Sequence, residues 1–246
     1  MIKFHTLGTS HGATEVGRSC SVNILEVNGQ YYVFDCGGNI ETKMKDLSMP
    51  MQNVKAVFIS HMHEDHVGSL SAIAKHFMFY IRTGARVRIL MPERAGIDAF
   101  RAWLLALHLG EENLSSLLFE EIAQGEIYRD EAVTVRAIRT KHLAGGAFPS
   151  YAFIVEAEGK RILYTGDLAY DFSDYPKLIE KESYDLVVSE LVHFDPEANL
   201  ADLKRTNTKR LVFTHMSLRK AQAMREIADT FPFPVSVAEE DGSISL

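Results

Sequence analysis

His61-Met62-His63-Glu64-Asp65-His66 follows directly on the apolar run Val54-Lys55-Ala56-Val57-Phe58-Ile59, and this junction decides the fold. The run reads as a buried strand. In an extended chain alternate side chains share a face, so His61, His63 and Asp65 are expected to point together into one cleft. His66 comes where the chain turns into a helix predicted over residues 67–79. A strand end that becomes a helix offers ligands in more than one direction, enough for two metal ions side by side. A lone histidine carries no such meaning, but three imidazoles and a carboxylate at this spacing form a donor set for zinc and similar ions.

Further candidates stand at the ends of other predicted strands. His142 follows residues 132–140, Asp167 follows residues 161–166, and His215 follows residues 210–214. Each alone would pass as a turn, capping or surface residue. Together with the junction they complete a set of seven.

The motif His61-x-His63-x-Asp65-His66, with His142, Asp167 and His215 in order downstream, resembles the metallo-β-lactamase-fold hydrolases. The resemblance covers essentially the whole chain. It implies an α/β fold, an αββα four-layer sandwich with two facing mixed sheets, in which ligands gather at one edge. It also implies that His61, His63 and His142 bind one divalent metal, that Asp65, His66 and His215 bind the second, and that Asp167 bridges them. Segments around Leu7-Gly8-Thr9-Ser10, Arg18-Ser19-Cys20-Ser21, Tyr32 to Gly38, Pro149-Ser150-Tyr151 and His215-Met216-Ser217-Leu218-Arg219 look like the ribonuclease Z branch, which includes cyclic-phosphate phosphodiesterases. Two departures stand out. There is no long Gly/Pro-rich arm of the kind that grips transfer RNA, and residues 194–210 hold no histidine.

The chemistry expected of such a site is hydrolysis. Metal binding lowers the pKa of water from about 15.7 toward 7, so a water held between two cations becomes a nucleophile without help from serine or cysteine. A phosphodiester, small or cyclic, is the expected substrate; the alternative is a lactone, thioester or β-lactam opened by the same site. Imidazole and carboxylate without thiolate suit zinc, with manganese or iron as alternatives. His63 stands where the iron-based flavodiiron proteins of this fold carry glutamate. Asp65 and His193 are the catalytic candidates, His193 as proton donor to the leaving group. Asp35, before Gly37-Gly38, is placed to brace the metal loops, Glu190 to orient a ligand histidine, and Arg219 to meet a substrate anion. Loops over residues 10–18, 144–149 and 171–175 are expected to set specificity.

Composition bounds the rest. The 246 residues, 46% hydrophobic, carry no Pro/Gly/Ser-rich linker or low-complexity stretch, so one domain over 1–246 is expected. No apolar run approaches the roughly 20 residues that span a bilayer, and the opening Met1-Ile2-Lys3-Phe4-His5 reads as a strand rather than a signal peptide, so the expected location is cytoplasmic. The net charge of −7 and the absence of a basic arm argue against long nucleic acid as partner. An anionic small molecule remains compatible, because bound cations dominate the local field. The sequence does not fix the oligomeric state; the resemblance makes a homodimer one candidate assembly. Cys20 and Cys36 read as buried small hydrophobes.

Along the chain, strands are predicted near residues 2–7, 21–27 and 31–35, with Asn28-Gly29 as a hairpin turn. A strand near 87–91, helices over 97–109 and 114–122, and strands near 132–139, 151–156 and 161–164 follow. A helix at 175–181, a strand at 186–190, a helix at 200–205, a strand at 211–214 and a helix from Ser217 to about 230 complete the reading. Residues 92–124, with Trp103, Leu104, Leu107 and Leu109, form the candidate lid or oligomer contact; core packing is the plainer use of those side chains.

Overall fold

Hydrophobic strands separated by short turns assemble into two seven-stranded sheets in this computed structural model, which describes residues 1–81, 83–180 and 182–246. β1 (Ile2–Gly8), β2 (Val22–Val27) and β3 (Gln30–Cys36) form an antiparallel meander. Its tight turn is Asn28-Gly29, with φ of 51° and 77°, the left-handed conformation that this residue pair tolerates best. β4 (Val54–Phe58), β5 (Val87–Met91) and β6 (Leu117–Glu121) extend the sheet in parallel, and β14 (Gly242–Ser245) closes the other edge antiparallel to β1. The second sheet repeats the scheme. β7 (Gly125–Arg129), β8 (Val133–Arg139), β9 (Tyr151–Ala157) and β10 (Lys160–Tyr164) run antiparallel; β11 (Leu186–Glu190), β12 (Leu211–Thr214) and β13 (Val235–Val237) continue in parallel. β14 thus holds in the first sheet the place that β7 holds in the second.

The facing sheets bury an aromatic and β-branched layer that includes Phe34, Phe58, Phe153, Tyr164, Val135 and Val188. Phe34 stacks on Phe58 with ring centroids 5.0 Å apart and meets Phe153 at 5.8 Å. On the outer face of the first sheet lie α1 (Ile40–Asp46), α2 (Glu64–Val67), α3 (Leu70–Lys75) and α4 (Arg94–Ala106), which bury Ile40, Met44, Ile73 and Leu104. On the outer face of the second lie α5 (Tyr175–Ile179), α6 (Leu200–Lys204) and α7 (Leu218–Ile227), which bury Tyr175, Leu178, Leu203 and Met224. The four layers are those of the metallo-β-lactamase fold. Among the described residues no helix is long and apolar enough to cross a membrane.

Several local expectations need correction. The helix predicted over 67–79 is broken: α2 ends at Val67, α3 follows from Leu70, and residues 76–80 wind into a wider π turn. Residues 114–122 are not helical. A 3₁₀ turn over Glu111–Ser116 leads into β6, the edge strand of the first sheet. The segment 92–124 is therefore part of the sandwich rather than a flap over it. Leu104 is buried and Leu109 partly so, whereas Trp103 and Leu107 lie exposed on or just after α4. The far end of the helix predicted over 175–181 falls on Lys181, outside the described residues. Cys20 and Cys36 are both buried and free.

Candidate metal centre

The C-terminal ends of the parallel strands of both sheets meet at one edge, where open α/β sheets place their ligand sites. The chain leaves β4 extended through His63 (φ −65°, ψ 147°) and then coils into α2. That turn redirects Asp65. It does not share a face with His61 and His63 as an extended segment would require; it groups with His66 and His215. His61, His63, His142 and Asp167 form the neighbouring group, with one donor atom from each lying within 4.8 Å of the others. Asp167, from the loop after β10, belongs to both in geometry. Its Oδ2 lies 3.6 Å from His61 Nε2 and 3.6 Å from His142 Nε2. Its Oδ1 lies 3.4 Å from His66 Nε2 and 3.4 Å from His215 Nε2. Asp65 Oδ2 completes the second group at 3.6 Å from both His66 and His215.

The residues fit metal ions on a test internal to the structure. His61 Nε2, His66 Nε2 and Asp167 Oδ1 are buried without any hydrogen-bond partner. Buried polar atoms left unpaired cost about 1–3 kcal/mol each, and these three converge on one another. The opposite ring nitrogens are all engaged: His61 Nδ1 with Ser60 Oγ at 3.0 Å, His66 Nδ1 with Asp35 Oδ2 at 2.8 Å, His142 Nδ1 with the Leu168 carbonyl at 3.2 Å, His215 Nδ1 with the Ser10 carbonyl at 3.0 Å. Engaging one ring nitrogen fixes ring orientation and turns the other inward, as in metal sites generally. His63 is the exposed member of the set. Asp35 braces the floor. Its fully buried carboxylate accepts hydrogen bonds from Ser60 N (2.7 Å), Ser60 Oγ (2.8 Å), His66 Nδ1 and Tyr164 Oη (2.7 Å). Gly37 lets α2 come close: a Cβ there would stand 1.8 Å from the Asp65 carbonyl oxygen.

A family model described as Anti-Pycsar protein Apyc1 matches residues 2–223. The chain belongs to this family. It is also 31% identical over 156 residues to a ribonuclease Z of Anoxybacillus flavithermus, covering 62% of this chain and 47% of that protein. It is 25% identical over 164 residues to the Apyc1 protein of Paenibacillus xerothermodurans, covering 63% and 62% of the two chains. The matches thus span about half to three-fifths of these relatives' own length. The crystal structure of YhfI from Bacillus subtilis, a metallo-β-lactamase fold protein, superposes with a TM-score of 0.79 at 18% identity, covering 100% of both chains. That likeness speaks to the fold.

In this Apyc1 family member a third group of side chains borders the two already described. Glu190, ending β11, and His193 lie beside Asp167. Glu190 does not orient any of the seven expected ligands. Its Oε1 accepts from His193 Nδ1 at 2.9 Å and from the Leu168 amide at 2.9 Å, and its Oε2 accepts the amides of Val192 (2.6 Å) and His193 (3.0 Å). The His193 ring packs 4.6 Å from that of His142, and Tyr170 stands edge-on to it at 4.8 Å. Tyr170 is 73% exposed and forms the outer rim. Arg219 is exposed on α7 in a groove with Asp195 and Glu197, away from the donor atoms.

Electrostatics follow the packing. Burial drives the His61 imidazole well below its ordinary pKa, and the neighbouring His66 pushes the same way against Asp167. Burial opposes charge on His66 too, but Asp167 and Asp35 outweigh it and hold that ring well above the usual range. Asp167 is held well below the carboxylate range: His215 and His66 overcome the cost of burying it. For His193, burial pulls down, yet the Glu190 hydrogen bond and charge carry the net shift upward.

Two supporting groups escaped the reading of the sequence. Asp174 is buried and takes the amides of Lys141 (2.9 Å) and Ala169 (3.0 Å), tying the His142 and Asp167 loops together. Glu240 takes the amides of Thr9 (3.0 Å) and Ser19 (2.8 Å) and pairs with Lys43 at 2.8 Å, anchoring the loop whose Ser10 carbonyl holds His215. Both contacts are long-range or between loops, so no local pattern announces them.

Proposed function

We propose that the chain is a metal-dependent hydrolase that cleaves a phosphodiester, small or cyclic, at a pair of divalent cations. The observation that carries this reading is Asp167, whose two carboxylate oxygens face two separate groups of inward-turned donors. His61, His63, His142 and Asp167 would hold one cation; Asp65, His66, His215 and Asp167 would hold the other. When bound, the cations supply Lewis acidity toward the phosphoryl oxygens and a water acidified toward neutrality. Zinc suits the five imidazoles and two carboxylates best. The kinship with a ribonuclease Z supports phosphodiester chemistry, and the acidic chain without a basic arm favours a small substrate over a long nucleic acid.

The chain's own residues would divide the remaining work. Glu190 holds His193 by Nδ1, leaving Nε2 free to protonate the leaving oxygen. Tyr170 and His63 form the rim against which the rest of the substrate packs. The free, buried cysteines suit a reducing compartment, which supports a cytoplasmic site of action. The exposed Trp103, Leu105 and Leu107 support a homodimer, checked by light scattering.

The test is metal analysis of gently purified protein combined with a substrate panel. Metal-replete protein is expected to turn over bis(p-nitrophenyl) phosphate and ribonucleoside cyclic monophosphates, and to leave nitrocefin, acyl-homoserine lactones and glutathione thioesters intact. No turnover of any phosphodiester by a metal-replete sample would defeat the proposal.

A further inference from the structure

The His193 segment lies between β11 and α6 without regular secondary structure, yet its backbone is held from two sides. From below, the Glu190 carboxylate takes the amides of Val192 and His193. From the side, Lys220 reaches across from the first turn of α7. Its Nζ donates to the carbonyl of Phe194 at 2.7 Å and to the carbonyl of Val192, the two residues that flank His193. The carboxylate therefore collects the segment's N–H donors and the ammonium collects its C=O acceptors.

The lysine is itself fixed in place. α7 begins directly after His215, capped by Ser217, whose Oγ accepts the Lys220 amide at 3.3 Å. The Leu191 amide donates to the His215 carbonyl at 3.3 Å, so the start of the His193 segment is tied to the same turn. The Lys220 side chain is partly buried, not a solvated surface charge. Its ammonium is a compact donor with several N–H directions, which suits two carbonyls separated by a residue.

We propose that Lys220 is a positioning residue, which keeps His193 aimed at the leaving oxygen by clamping the peptide carbonyls on both sides of it. The inference rests on the phosphodiesterase reading above. In that reaction the P–O bond to the leaving oxygen breaks as a new P–O bond to the oxygen of water forms. The leaving oxygen takes a proton from His193 Nε2, and the proton lost by water restores the imidazolium through solvent. Proton delivery of this kind contributes about 10²–10⁴-fold, and a misplacement of about 1 Å can cost about 10²-fold. The contribution is large when the leaving group is an alkoxide and small when it is p-nitrophenolate, which departs without protonation.

The leaving-group dependence separates positioning from general damage. Lys220→Met is expected to lower kcat about 10–100-fold on a ribonucleoside 3′,5′-cyclic monophosphate but less than about threefold on bis(p-nitrophenyl) phosphate, with KM little changed on either. Lys220→Arg, which restores a donor, is expected to recover most of the loss. A second readout needs no turnover: in metal-free protein, amide exchange at Val192 and His193 should accelerate in Lys220→Met while β11 stays protected. Equal losses on both substrates, or unchanged exchange at these amides, would overturn the proposal. His193→Gln is the control for the underlying reading. If it fails to show the same leaving-group dependence, the role of His193 falls, and the exchange data still decide whether Lys220 holds the segment.

Discussion

Replacing Asp35 by asparagine tests the idea that the floor of the site is a tautomer lock. Asp35 Oδ2 faces Ser60 Oγ, His66 Nδ1 and Tyr164 Oη at 2.7–2.8 Å, and the residue is fully buried. All three act as donors toward it, so the carboxylate keeps a proton on His66 Nδ1 and leaves Nε2, turned toward Asp65 and Asp167, as the nitrogen a cation would take. An amide nitrogen at the Oδ2 position would instead donate to His66 Nδ1, which then has to accept, and the ring proton moves to Nε2 where a cation should bind. Loss of an outer partner of this kind typically costs about 10–100-fold in metal affinity, or about 1.4–2.8 kcal/mol. Because the contact is to His66 alone among the seven, the loss should fall on the Asp65/His66/His215 group. Competition with a graded chelator series, read by metal per chain, should therefore show one of two equivalents weakened while the other stays within about threefold. The buried bonds are charge-assisted, about 1.5–3 kcal/mol each, so the metal-free fold should also lose stability on the order of one such bond in a denaturant titration. Two unchanged equivalents, or equal weakening of both, would refute the reasoning.

Other expectations follow from separate parts of the molecule. Tyr170→Ala should raise KM several-fold with kcat nearly constant, because the ring borders His193 and His142 but touches no donor oxygen; steady-state kinetics distinguish this from a fall in kcat. Asp130 accepts hydrogen bonds from Tyr32 Oη (2.7 Å), Tyr128 Oη (2.8 Å) and the amides of Ala132 and Val133. Burial opposes its charge, yet these bonds hold its pKa below the ordinary value. Its contribution to stability is thus present above the unfolded carboxylate pKa of about 3.9 and disappears as pH falls through the lower folded value. Asp130→Asn should flatten the acid limb of a Tm-against-pH curve. Phe34→Ala, in the layer between the sheets, should cost about 3–5 kcal/mol in denaturant midpoint analysis.

Much of this architecture was legible because the relevant signals are local. Strands such as Leu186–Glu190 and Leu211–Thr214 are short apolar runs, and both were bounded correctly from sequence. The donor residues were findable because imidazoles and carboxylates recur at strand ends. What failed was orientation and edge structure. An extended segment alone would set Asp65 on the face of His61 and His63, whereas α2 starts one residue earlier, at Glu64, and swings it toward His66 and His215, the grouping that the family resemblance implies. The leucines at 114, 117 and 118 mimic helical spacing, yet only Leu114 and Leu117 are buried, one from a 3₁₀ turn and one from a strand. β7, β13 and β14 are edge strands of three to five residues with mixed exposure, so hydrophobic alternation is too short to register. Glu190 was seen as an orienting group but paired with the wrong class of partner, since its reach to His193 depends on a three-residue bend rather than on strand geometry.

The seating of β14 beside β1 has a bearing on how the molecule matures. The polypeptide crosses from the second sheet back to the first only after Val237, and Glu240 fastens the Thr9–Ser19 loop on the way. During folding the first hairpins can pair early, but the outer border of β1 stays unpaired, and the loop whose Ser10 carbonyl steadies His215 lacks its Glu240 anchor, until β14 is seated. Cation capture would then wait on that closing segment, and a chain cut before Ala238 should be protease-sensitive at residues 10–18 even though most of both sheets can still form.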